Sequence, residues 1–221
     1  MVWQNVDFTM NSRYDSHSTH FNFGTKMEFK IVEKNQSLNL TVESKQTGPK
    51  TFYFGAGWDM KGGQAVDLDL VVLHMRDGKE PNDDDLVYFG NRNAVGTALS
   101  EDNTTGEGDG DDESVVINVD ELPSDVTCVA VGIAAYTGAD LHTVDNAHFR
   151  VCDGNNEHSP QIAEVKFYDA VSGETALLGF FIKRVAGGFQ LENVESYSAA
   201  GNGTRAIHAV AELAVNSVGK C

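Results

Sequence analysis

Val66-Asp67-Leu68-Asp69-Leu70-Val71-Val72-Leu73 decides the fold class. Val66, Leu68, Leu70 and Val72 alternate onto one face, which is the period of a half-buried β-strand. Asp67 and Asp69 take the opposite face, roughly 7 Å apart at about 3.4 Å rise per residue. Acids are disfavoured in strands, and Val71 follows these two on the same face. Two carboxylates there need a cause, either a shared cation or a strand face left to solvent.

The same period recurs along the chain. Met27, Phe29 and Ile31 alternate with polar residues, and so do Leu38, Leu40 and Val42. Thr51–Trp58 is aromatic and glycine-rich, as expected of a central strand approached closely by other backbone. Asp77–Asp84 is a connecting loop. Further strands are predicted over 85–91, 114–120, 126–135, 147–153, 161–168, 175–183 and 188–194. Ile207, Val210, Ala211 and Ala214 stand at helical spacing near the C-terminus, with Thr204 as a weak cap candidate. Short strands at regular spacing with little helix predict an all-β fold, a β-sandwich with a short C-terminal helix. Residues 1–26 follow neither period and read as an N-terminal arm whose aromatics Trp3, Phe8, Tyr14, Phe21 and Phe23 need burial. They suit docking on the domain, on other proteins or on a second copy. The domain proper is 27–221.

Composition narrows the function. The 221 residues carry 33 acids and 16 bases, a net charge of −17, which disfavours nucleic acid and anionic membrane as partners. No apolar run is long enough to predict a transmembrane segment. The N-terminus lacks the basic start and apolar stretch of a secretory signal. Three scattered cysteines, Cys128, Cys152 and Cys221, suit reduced thiols in a cytoplasmic protein better than a disulfide or zinc framework.

The charge is not uniform. Residues 93–149 hold twelve acids and no Lys or Arg, whereas the rest of the chain carries 21 acids and 16 bases. At the centre of that region lies Glu101-Asp102-Asn103-Thr104-Thr105-Gly106-Glu107-Gly108-Asp109-Gly110-Asp111-Asp112-Glu113, seven acids and three glycines with no base. Glycines between acids let side-chain and carbonyl oxygens converge. Converging carboxylates repel unless a cation joins them, and Ca²⁺ accepts six to eight oxygens in flexible geometry. Composition alone leaves a solvated acidic loop as the alternative, although the localised charge favours a cation site. The spacing does not match an EF-hand, and a single occurrence argues against a repeated calcium β-roll. Candidate ligands are Asp67, Asp69, Asp102, Glu107, Asp109, Asp111, Asp112 and Glu113, with Asn103 and Thr105 as lesser contributors.

Gly57-Trp58-Asp59, Asp67-Leu68-Asp69, Asp85-Leu86-Val87-Tyr88-Phe89 and the stretch Asp102–Glu113, in this order, resemble the TerD family of tellurium-resistance and stress proteins. Val144–Arg150 and Glu174-Thr175-Ala176 extend the match, which covers roughly 27–204. The resemblance implies a β-sandwich binding calcium through acidic loops and the Asp-x-Asp strand. Family members are associated with tellurite resistance, phage resistance and general stress, and a slime-mould relative is described as cAMP-binding. The chain departs from the family pattern where Tyr136-Thr137 replaces a His-Asp pair, at Arg184–Phe189, and in residues 1–26.

Three readings follow. The first is a non-enzymatic calcium-binding stress protein. The second is a calcium-dependent recognition or assembly module for a protein, sugar or nucleotide. The third is a hydrolase using Asp67 and Asp69 as acid and base, with His142 and His148 left as surface or packing residues.

Overall fold

The computed structural model describes residues 32–44, 46–59, 62, 65–137 and 140–217. The predicted arm 1–26 and the strand predicted from Met27 lie outside these residues, apart from Val32.

Two six-stranded antiparallel sheets face each other. The first contains β1 (Ser37–Asn39), β3 (Asp67–Arg76), β4 (Leu86–Val87), β8 (Val126–Thr137), β11 (Ala176–Val185) and β12 (Gly188–Ser198), in the order β1-β12-β11-β8-β3-β4. The second contains β2 (Thr51–Asp59), β5 (Asn93–Ala94), β6 (Thr97–Leu99), β7 (Glu113–Asn118), β9 (Asp145–Asp153) and β10 (Gln161–Lys166), in the order β10-β9-β2-β7-β6-β5. Alternation sorts each strand. Phe52, Phe54, Ala56 and Trp58 of β2 meet Val66 and β3 residues Leu68, Leu70 and Val72 in one core, where Phe54, Phe149 and Phe180 pack ring against ring. A period-2 pattern on both sheets therefore builds an all-β sandwich.

The helix α2 (Thr204–Asn216) covers the outer face of the first sheet. Ala206, Ile207 and Val210 pack on Val71, Ala134 and Ala176, while Ala214 packs beside Leu73, Met75 and Phe181. Gly203, not Thr204, occupies the N-cap position, because its φ of +75° suits glycine.

Local details differ from the sequence expectations. The second predicted strand stops at Asn39 and turns into the four-residue helix α1 (Leu40–Glu43), which buries Leu40 under the core. The stretch predicted as a strand over 85–91 is extended only at Leu86–Val87. Asn82 caps a 3₁₀ turn over Asp83–Asp85, and Asp85 accepts back from the Asn82 amide. The strand at 161 ends at Lys166, where Phe167–Asp169 forms another 3₁₀ turn. The short strands β5 and β6 were not predicted, since two or three residues carry no readable period.

One topological detail positions the site. Pairing of β3 with β4 involves only Val72 and Leu73, whereas β8 lines the whole opposite side of β3. Among the described residues the first half of β3 therefore has an open edge, facing the end of the sandwich where β7 begins.

Candidate metal centre

Asp67 and Asp69 point away from the apolar core, as alternation requires, yet they are not on a solvated face. Asp67 is 8% exposed and Asp69 only 2%. Asp102, at the start of the acidic loop, joins them from across the open edge. One carboxylate oxygen from each of the three lies within 4.8 Å of the other two. Asp67 Oδ1 and Asp69 Oδ2 are buried without a hydrogen-bond partner among the described residues. None of the three acids forms an ion pair among the described residues.

Burial and mutual repulsion show in the protonation equilibria. Burial, aided by the Asp102 charge, raises the Asp67 carboxyl to about 6. Burial and then the Asp67 and Asp102 charges raise Asp69 to about 7. Glu113, the first residue of β7, borders the same cluster and is 2% exposed. Burial raises it to about 8, with further upward pressure from Asp69 and Asp102, against hydrogen bonds from the Leu70 and Asn103 amides. Its Oε2 accepts from Leu70 N at 2.8 Å and so seals the open edge of β3.

The loop between Asp102 and Glu113 is built by its own short-range bonds. Asn103 Oδ1 accepts from the Thr105 amide, the Thr105 hydroxyl and the Gly106 amide. Asn103 Nδ2 donates to Asp112 Oδ1 at 2.9 Å, closing the loop on itself. Asp112 Oδ2 accepts from Trp58 N, and the Asp112 amide donates to Ala56 O. The Trp58 indole donates to Val66 O at 2.8 Å, which ties the end of β2 to the start of β3. Gly106, at φ +68°, sits on that indole, where a Cβ would lie 2.4 Å from Nε1.

The predicted ligands therefore divide. Asp67, Asp69 and Asp102 converge, with Glu113 beside them. Asn103 and Asp112 have their side-chain oxygens committed within the loop and to Trp58. Glu107 and Asp109 are exposed and outside the cluster. Asp111 lies on the outer face of the second sheet. Its side chain is only 1% exposed and pairs with Arg150 through both oxygens at 2.7–3.1 Å. Tyr53 Oη donates to its Oδ2 at 2.8 Å, and His148 Nε2 lies 2.9 Å from its Oδ1. Burial pushes the Asp111 carboxyl up, but the bonds from His148, Arg150 and Tyr53 outweigh it and hold the group at about 2.

The sequence reading gave Tyr53 and Arg150 no role and took His148 for a surface or packing residue. The usable signal was Gly55 and Gly57, two glycines on one face of β2. A Cβ on Gly55 would lie 2.1 Å from Asp111 Oδ2, and one on Gly57 would lie 2.4 Å from Gly110 O. Bare backbone at these positions lets the loop lie flat on the sheet.

An all-oxygen set with buried, unpaired carboxylate atoms fits a hard divalent cation. Comparison with known proteins places the chain among relatives. Stress response protein SCP2 of Bacillus subtilis is 28% identical over 192 residues, covering 78% of this chain and 92% of the relative. Tellurium resistance protein TerZ of Serratia marcescens is 34% identical over 134 residues, covering 54% of this chain and 67% of the relative. The crystal structure of a homologue of the telluride resistance protein TerD from Streptomyces coelicolor shares the fold, with a TM-score of 0.58 at 22% identity over 68% of this chain and 91% of that one. The TerD domain model matches residues 27–205, and the chain belongs to the TerD-domain family.

Proposed function

We propose that this TerD-domain chain is a non-enzymatic, cytoplasmic stress-response protein of the tellurium-resistance type that binds Ca²⁺. Asp67, Asp69 and Asp102 supply the side-chain oxygens, and Glu113 borders the cage. The observation that carries the reading is the pair of buried oxygens, Asp67 Oδ1 and Asp69 Oδ2, left without partners beside a third carboxylate. Such atoms are costly to bury alone, and a divalent cation offsets both their desolvation and their repulsion. In this reading the acids are ligands, and none is a general acid or base. Support for a stress role comes from relatives named as stress response and tellurium resistance proteins. The buried Cys152 thiol fits a reducing compartment.

The cation would tie the start of β3 to the acidic loop, so that binding stabilises the fold by mass action. Ca²⁺ at a hundred times its dissociation constant adds about 2.7 kcal/mol. That corresponds to a rise of roughly 5–10 °C in melting temperature for a domain of this size. Thermal unfolding of the full chain in Ca²⁺, in Mg²⁺ and in EDTA tests the reading. The expected order of stability is Ca²⁺ first and EDTA last. Melting curves that coincide in Ca²⁺ and EDTA would remove it.

A further inference from the structure

The acidic loop is held at a second place, where Arg150 pairs with Asp111 and lies 3.9 Å from Glu157. Asp111 meets Arg150, Tyr53 and His148 over the bare backbone of Gly55, and these contacts use both of its oxygens. A connected path leads from there to the cation cluster. The next residue, Asp112, bonds Ala56 O through its amide, and its side chain bonds Trp58 N and Asn103 Nδ2. Asn103 directly follows Asp102, one of the three clustered acids. One residue beyond Asp112 is Glu113, which seals β3.

We propose that Asp111 and Arg150 are positioning residues for cation binding: their ion pair anchors the acidic loop on the outer face of the second sheet and so presets Asp102 and Glu113 against Asp67 and Asp69. The inference rests on the calcium reading of that cluster. It gives Asp111 an anchoring role in place of a ligand role, and gives a cation-binding function to a basic residue. A bidentate Arg–carboxylate pair fixes orientation as well as distance, which suits an anchor. Presetting a loop raises affinity by removing the ordering cost from the binding step.

An anchor at Arg150 acts opposite in sign to simple electrostatics. Removing a positive charge from a protein normally strengthens its hold on a cation. Arg150→Gln, which leaves every acid in place, is instead expected to weaken Ca²⁺ binding at least tenfold. Tyr53→Phe, a milder variant that keeps all charges, is expected to weaken it less. Because Arg150 acts through Asp111, the double variant Arg150→Gln/Asp111→Asn should bind no more weakly than Asp111→Asn alone.

Calorimetric Ca²⁺ titration of the full-length wild type and these variants is the test. Hydrogen exchange in EDTA serves as the second readout. Amides of 103–112 should lose protection in Arg150→Gln and in Tyr53→Phe, while those of β8 and β11 keep theirs. A wild type that takes up Ca²⁺ together with an Arg150→Gln variant that binds equally or more tightly overturns the anchor and leaves the calcium reading standing. A wild type that binds no Ca²⁺ overturns both. If Arg150→Gln fails to fold, Tyr53→Phe decides, and unchanged affinity with unchanged loop protection overturns the anchor.

Discussion

Glu113 Oε2 accepts a hydrogen bond from Leu70 N at 2.8 Å, joining the first residue of β7 to an edge of β3 that no strand among the described residues covers. A single carboxylate thus closes one sheet with a side chain from the other, beside the three clustered acids. Replacing Glu113 by Ala leaves the Leu70 amide buried without an acceptor, at a cost of about 1–3 kcal/mol. Urea unfolding in EDTA should show that loss as a lower midpoint.

Glu113→Gln is expected to behave differently. The amide oxygen still accepts from Leu70, and a neutral side chain suits a site that raises the carboxyl to about 8. In EDTA at neutral pH this variant should match or exceed the wild type in stability. Its Ca²⁺ affinity should nevertheless fall about tenfold to a hundredfold, the usual range for a group that supports metal ligands. Unfolding curves in EDTA and a Ca²⁺ titration measure the two effects, and a parallel loss in both would contradict the assignment.

The acid cluster also sets a pH dependence for the calcium-free protein. Asp67, Asp69 and Glu113 sit at about 6, 7 and 8, above the usual range near 4 for carboxyls in unfolded chains. Across that window the folded state binds more protons than the unfolded state, so its stability falls as pH rises. The contribution is complete below about pH 4 and is lost progressively up to about pH 8. Denaturation midpoints in EDTA between pH 5 and 8 should therefore decline. Saturating Ca²⁺, which favours the ionised acids, should flatten or reverse the trend.

Much of this fold was legible from alternation alone. The Val66–Leu73 pattern found β3, which runs on to Arg76, and put Asp67 and Asp69 together, and helical spacing found α2. What the pattern missed was short or non-local. Strands of two or three residues carry no period, and Asp85 is diverted into a cap by Asn82. For the site, spacing gathered the acids but did not show how they divide. Asp111 and Asp112 are adjacent in sequence and serve different partners, Arg150 on one sheet face and Trp58 at the strand end. That division depends on β2 passing beneath the loop with two bare glycines, a relation made by sheet pairing and not by local sequence.

Gly55→Ala tests that relation directly. The added Cβ would fall 2.1 Å from Asp111 Oδ2 and 2.8 Å from the Tyr53 ring. Relieving the overlap displaces the Asp111 carboxylate, at a cost of about 1–3 kcal/mol. The urea midpoint should drop, and Ca²⁺ affinity should drop with it.

The exposed acids of the loop offer a contrast. Asp109→Asn alters a side chain outside the cluster and should change Ca²⁺ affinity less than about threefold, the effect of a screened surface charge. Asp69→Asn removes a buried member of the cage and should weaken binding about a hundredfold or more, since ligand charge sets Ca²⁺ affinity. Equal effects of the two substitutions would mean that the loop binds through general charge instead of a cage.

A Ca²⁺ site at Asp67, Asp69 and Asp102 requires binding that depends on these acids. Its most direct test is calorimetric Ca²⁺ titration of the EDTA-stripped full-length chain, run beside the Asp67→Asn/Asp69→Asn double variant. Saturable binding is expected in the wild type and is expected to be lost in the folded double variant. A wild type with no saturable binding, or a double variant that binds equally well, would contradict it.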